Sequence, residues 1–196
     1  QAPAPTWTPE PKPINGPTPV PATPTRTPSE IIRDILPWAG DLLSKDQQSA
    51  LRSLETLVAE DFALGKGVAS LQWVVDGPDG PEVKALTYLS RLSEKDVGLT
   101  RTVFSFSWTR DSISGPEAKA IQNINALAHR DLGLARNVVA LPWVIDDITE
   151  TEWSPLSSLA RLKDNGNLPH DKPVGFRWVV DDMTEPEEWA LYYLNK

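Results

Sequence analysis

The sequence predicts an all-α protein, an α-solenoid of helix-pair repeats behind an extended Pro/Thr-rich N-terminal arm. Three observations predict it. Five of the eight tryptophans fall at Trp38, Trp73, Trp108, Trp143 and Trp178, every interval being 35 residues with no insertion. An aspartate follows each by three residues: Asp41, Asp76, Asp111, Asp146 and Asp181. Apolar columns keep the same register, as in Leu51, Leu86, Ile121, Leu156 and Leu191. Fixed self-similarity at a period of 20 to 50 residues marks a solenoid, propeller or array.

One unit explains the helices. From Trp108, "WTRDSIS" has no helical period and reads as a turn. Ser114 and Glu117 then form a Ser-x-x-Glu capping box, with Pro116 in the first turn. Thr149 with Glu152, and Thr184 with Glu187, repeat the box, and Asp79 with Glu82 is its counterpart after Trp73. Apolar residues at Ala120, Ile121, Ile124, Leu127 and Ala128 make one face of a first helix over residues 116–129. Asp131 is a second N-cap, with Asp61 and Asp96 at the same position in earlier units. Leu134, Ala135, Val138, Val139 and Leu141 give a shorter second helix, ended by Pro142. Such a pair cannot bury its apolar face alone, so neighbours stack.

The length is near that of tetratricopeptide repeats, but their Trp, Gly, Tyr and Pro pattern is missing. The signature LPWV-x-D-x-[IL]-[TS]-x-x-E, read across "LPWVIDDITETEW" and "FRWVVDDMTEPEEW", resembles secreted α-helical tandem-repeat proteins over residues 31–196. That resemblance implies an extracellular helical array and carries over no catalytic residue.

Two parts of the chain are distinguished. Residues 1–28 hold ten of the 19 prolines and six threonines, a composition that favours extended polyproline II over a packed core. They read as an arm or stalk, with the threonines as O-glycan acceptors. Trp7 is placed there as an anchor for a pocket on another surface. Residues 29–196 are the repeat domain, whose first and last units read as incomplete. The chain begins at Gln1 and reads as a processed protein or an excised piece.

Composition excludes several functions. There is no cysteine, hence no disulfide, zinc-thiolate or thiol chemistry. No apolar run approaches the roughly 20 residues of a membrane span. The net charge is −8; the arm carries +1 and the remainder −9, which argues against nucleic acid and anionic membranes as partners. His129 and His170 pair with no nucleophile motif, and no Gly-rich phosphate loop or HExxH occurs. The expectation is a protein that is not an enzyme and holds no cofactor. "DGPDG" at residues 76–80 is the nearest approach to a calcium loop, but it lacks the EF-hand spacing and closing glutamate.

The repeated Trp and Asp therefore read as the repeat joint: Trp73, Trp108, Trp143 and Trp178 in inter-unit packing, and Asp76, Asp111, Asp146 and Asp181 as Asx turns or caps of the first helix. Lys66, Arg101 and Arg136 share a column and are expected to pair with that Asp column in a ladder. In the fourth unit, Gly166, Pro169 and Pro173 break the second helix, leaving a loop over residues 163–176. The half-units at the two ends are complementary. Ile31, Ile32, Ile35 and Trp38 at one end, and Trp189, Leu191, Tyr192 and Leu194 at the other, are the expected assembly interface, with Trp7. Docking them head to tail in an itself-with-itself homopolymer does not close and makes a filament. The expected function is an extracellular, cell-surface structural protein that self-assembles in this way, braced by its arm. The alternative is a stalked solenoid that binds a protein or glycan.

Overall fold

The computed structural model describes residues 26–40, 42–150 and 152–164. The protein is all-α, with eleven helices among the described residues. Three lengths recur in order. Long helices are α2 (Lys45–Glu60), α5 (Gly80–Lys95), α8 (Gly115–Arg130) and α11 (Trp153–Asp164). Short helices are α1 (Pro28–Ile35), α3 (Phe62–Ala69), α6 (Val97–Phe104) and α9 (Leu132–Val138). Single turns are α4 (Gln72–Val75), α7 (Trp108–Asp111) and α10 (Pro142–Asp146). The long helices pack in sequence, α2 on α5, α5 on α8 and α8 on α11; α3, α6 and α9 each pack on the long helix before them, and α1 packs on α2.

Each start has a local cause. Ser44 Oγ accepts the Gln47 amide at 3.2 Å, and Gln47 returns its side-chain oxygen to the Ser44 amide at 3.0 Å. Ser114 and Glu117 make the same box at α8. At α5 the Asp79 amide donates to Glu82 at 3.2 Å. These boxes begin α2, α5 and α8 at intervals of 35 residues. At Thr149 the amide donates to Glu152 at 2.7 Å, yet the regular helix starts only at Trp153.

The junction of long and short helix has no linker. Asp61 ends α2, where its amide donates to the Leu57 carbonyl at 2.9 Å. The same residue caps α3, its Oδ1 accepting the Leu64 amide at 3.0 Å. Asp96 and Asp131 do likewise between α5 and α6 and between α8 and α9. An extended backbone at one residue, φ −153° and ψ 107° at Asp61, turns the chain between two helical runs.

The core runs the length of the stack. Leu54, Leu57, Leu86, Leu92, Ile121, Ile124, Leu127 and Leu159 are fully buried. The expected second helix is seen as α9, but it stops at Val138, and Pro142 begins α10. The segment read as a turn at Trp108 is a single helical turn, so a unit has three helices instead of two. Four residues are too few to show a period, and hydrogen bonds such as Val75 N–H to Leu71 C=O (2.9 Å) make the turn helical. Of the segment 1–28 expected to be an arm, residues 1–25 lie outside the described residues, and Pro28 is already the first residue of α1, capped by Thr27. The loop expected over residues 163–176 also lies outside them beyond residue 164.

One position limits how closely a unit's helices approach. A methyl group added at Gly65 would meet the Val58 backbone nitrogen at 2.4 Å and its Cα at 2.6 Å. In the later units the same two positions hold Ser93 with Thr100 and Ala128 with Ala135, so the tight pair is particular to α2 and α3. Gly65→Ala is expected to cost about 3 kcal/mol in urea unfolding. Because the obstruction is backbone, adding Val58→Ala is expected not to restore stability.

Candidate functional site: the joint between repeats

Among the described residues the Trp column makes the same contact at three positions. Trp38 Nε1 donates to the Val74 carbonyl at 2.7 Å, Trp73 to Thr109 at 3.2 Å, and Trp108 to Val144 at 2.9 Å. Each acceptor is 36 residues on, immediately after the Trp of the next unit. Trp73, Trp108 and Trp143 are buried at 5%, 5% and 1% exposure, whereas Trp38 is only partly buried. A buried indole ring removes some 150–250 Å² from water, a gross gain of roughly 4–6 kcal/mol at ~25 cal/mol per Å². The net hydrogen bond adds only about 1 kcal/mol. Burial therefore drives the joint, while the N–H sets its register, since a carbonyl left without a donor is costly.

The acceptors lie in the single-turn helices or their flanks, which hold the carbonyls of Val74 and Val144 at the joint. At α7 the buried Thr109 hydroxyl donates to the Phe106 carbonyl at 2.9 Å. Phe106 packs on Trp108 with ring centroids 5.7 Å apart. Ser107 Oγ donates across to the Asp146 carbonyl at 3.1 Å.

The Asp column does not cap the long helices. Asp76, Asp111 and Asp146 are exposed at the ends of α4, α7 and α10. Asp76 accepts from Gln72 Nε2 at 2.7 Å, within its own turn. The caps of the long helices are Ser44, Asp79 and Ser114, so the expectation that this column caps them is corrected. Asp146 and Asp147 line a polar hollow with Ser107, Asp111, Ser112 and Glu117. Among the described residues no group of three or more His, Cys, Asp or Glu is placed to hold a metal ion. Gly77 and Gly80 in "DGPDG" have φ +105° and +29°, so the glycines serve the turn into α5.

An ion-pair ladder is present with a different partner. Arg101 pairs with Asp61, and Arg136 with Asp96 at 2.5 Å, each reaching back 40 residues to the cap of the preceding short helix. One carboxylate oxygen takes the cap amide and the other the guanidinium. The Leu64 amide, and then the Arg101 guanidinium, hold the Asp61 carboxyl below its ordinary range. The Leu99 amide and Arg136 do the same for Asp96. Burial pushes Glu82 the other way, above the usual carboxylate range. The arginines are about 60% exposed, so each pair is worth ~0–1 kcal/mol. A shallow groove between α6 and α9 lies beside the Asp96–Arg136 pair, floored by Leu99 and Val139.

The expected assembly residues are distributed unevenly. Ile32 is fully buried against the core, and Ile31, Ile35 and Trp38 are partly buried. Ile32 is thus a core residue of α1 and is not available as a contact surface. Trp7, Trp178, Asp181, Trp189, Leu191, Tyr192 and Leu194, and Asp41, lie outside the described residues. Among the described residues, no helix is long and apolar enough to cross a membrane. The chain matches no protein family, no curated protein and no solved structure.

Trp108→Phe keeps most of the ring but leaves the Val144 carbonyl without its donor, and is expected to lower stability by about 2–3 kcal/mol in urea unfolding. Arg136→Met is expected to change it by less than ~1 kcal/mol. The acid response has a definite sign. A carboxyl whose native pKa is lowered adds stability that is complete above its unfolded value, about 3.9 for Asp, and lost as pH falls through the lower native value. Asp96→Asn is therefore expected to flatten the fall in melting temperature across that acid range relative to the unmutated chain.

Proposed function

We propose that the protein is an extracellular structural subunit that self-associates head to tail into a filament, with its Pro/Thr-rich arm bracing neighbouring copies. The observation that carries this reading is the direction of the joint. Each unit offers a tryptophan N–H on one side and a backbone carbonyl on the other, in the same sense at Trp38, Trp73 and Trp108. Such a contact is heterologous. Repetition of it between chains has no built-in closure and yields an open fibre. The arm composition and the acidic repeat domain fit a surface protein, and the reading assigns no catalytic role and no cofactor.

A second reading, a monomeric stalked module binding a protein or glycan, is favoured by one contact. At the α1 end, Arg33 already donates to the carbonyl of Ala39, the position equivalent to Val74, Thr109 and Val144.

Electron microscopy with light scattering across a concentration series tests the choice. Fibres are expected, with an axial advance of about 30–50 Å per subunit if four or five units stack at 8–10 Å each. A monodisperse species of 21.6 kDa at every concentration would favour the stalked module. Deleting residues 1–25, or keeping them with Trp7→Ala, is expected to weaken the fibres; fibres unchanged by both would remove the arm from the assembly.

A further inference from the structure

The α1 end carries every element of the joint except the incoming tryptophan. The Ala39 carbonyl stands one residue after Trp38, where Val74, Thr109 and Val144 accept an indole N–H. The corresponding donor position 35 residues before Trp38 is Pro3, so the arm does not continue the Trp column there. Arg33 Nη1 instead donates to Ala39 O at 3.3 Å, the longest of the four bonds. In the 35-residue register Arg33 stands where Val68, Val103 and Val138 are each fully buried.

The surroundings of that carbonyl lack the cover that the other units have. Trp38 is partly exposed where Trp73, Trp108 and Trp143 are buried. Leu43 is partly exposed where Pro78, Ile113 and Ile148 are buried. Leu42, next to Leu43 in the chain, is 98% exposed.

We infer that this end is a docking face for a second copy of the chain, in which a tryptophan N–H of the incoming copy replaces Arg33 on the Ala39 carbonyl. The occupant follows from continuity with the joint formed at Trp38, Trp73 and Trp108 within the chain. Arg33 is then a placeholder that keeps a buried carbonyl satisfied until the copy arrives, and it opposes docking to the extent of its own bond. The inference deepens the head-to-tail reading and rests on it for its biological setting.

The test uses the full chain with sedimentation velocity and light scattering, folding being checked by far-ultraviolet circular dichroism. Arg33→Val removes the placeholder and is expected to lower the concentration of half-assembly by about fivefold to tenfold. Leu43→Lys leaves Arg33 and the carbonyl in place but puts a charge on the docking face, and is expected to raise that concentration at least tenfold. Assembly of the unmutated chain that neither substitution alters would overturn this docking face while leaving the filament reading standing. A monomeric unmutated chain whose Arg33→Val form assembles would do the reverse. If neither form assembles at any concentration, both fall.

Discussion

The rest of the structure depends on burying a tryptophan ring whose N–H must meet a carbonyl 36 residues further on. The ring contributes most of the energy of the joint and the N–H contributes its register. An insertion anywhere between Trp73 and Thr109 would move the acceptor away from a buried donor. This constraint accounts for intervals of 35 residues without exception, and for long helices α2, α5 and α8 of the same 16 residues. The single-turn helices exist to present the acceptor. Their carbonyls are held by a local hydrogen-bonded turn, so the acceptor stands ready before the next unit packs.

A second economy lies in the aspartates between helices. Asp61, Asp96 and Asp131 each stop one helix and start another, which allows an antiparallel reversal without a loop. Asp61 and Asp96 also receive the arginine of the following unit. Since those arginines are mostly exposed, the ladder aligns neighbours more than it stabilises them. The Gly65–Val58 approach shows the reverse case, a contact so close that only the absence of a side chain permits it.

The joint is directional, and its two sides differ in chemistry. One side contributes indole donors and the other main-chain carbonyls, so the contact has a sense along the chain. At the α1 end the carbonyl is held by an arginine where later units bury valine, and Trp38 and Leu43 are more exposed than their equivalents. A charged residue at a core column beside exposed apolar neighbours sets this end apart from the later units.

Local chemistry was legible in the sequence. The capping boxes at Ser114 and Asp79, the caps Asp61, Asp96 and Asp131, and the all-α class follow from short-range rules and a helical period. Three things needed the tertiary structure. The four-residue helices are too short for periodicity to reveal. The partner of Arg101 and Arg136 was expected at the aspartate after each Trp, but helix packing brings the cap aspartate 40 residues back within reach instead. The acceptor of the Trp N–H is a main-chain carbonyl, which leaves no mark in side-chain pattern. The sequence by itself determined which residues repeat and where helices begin, because capping and amphipathicity act over three to seven residues. Only the packed structure decided which repeated groups meet, because separations of 36 and 40 residues are set by how helices stack.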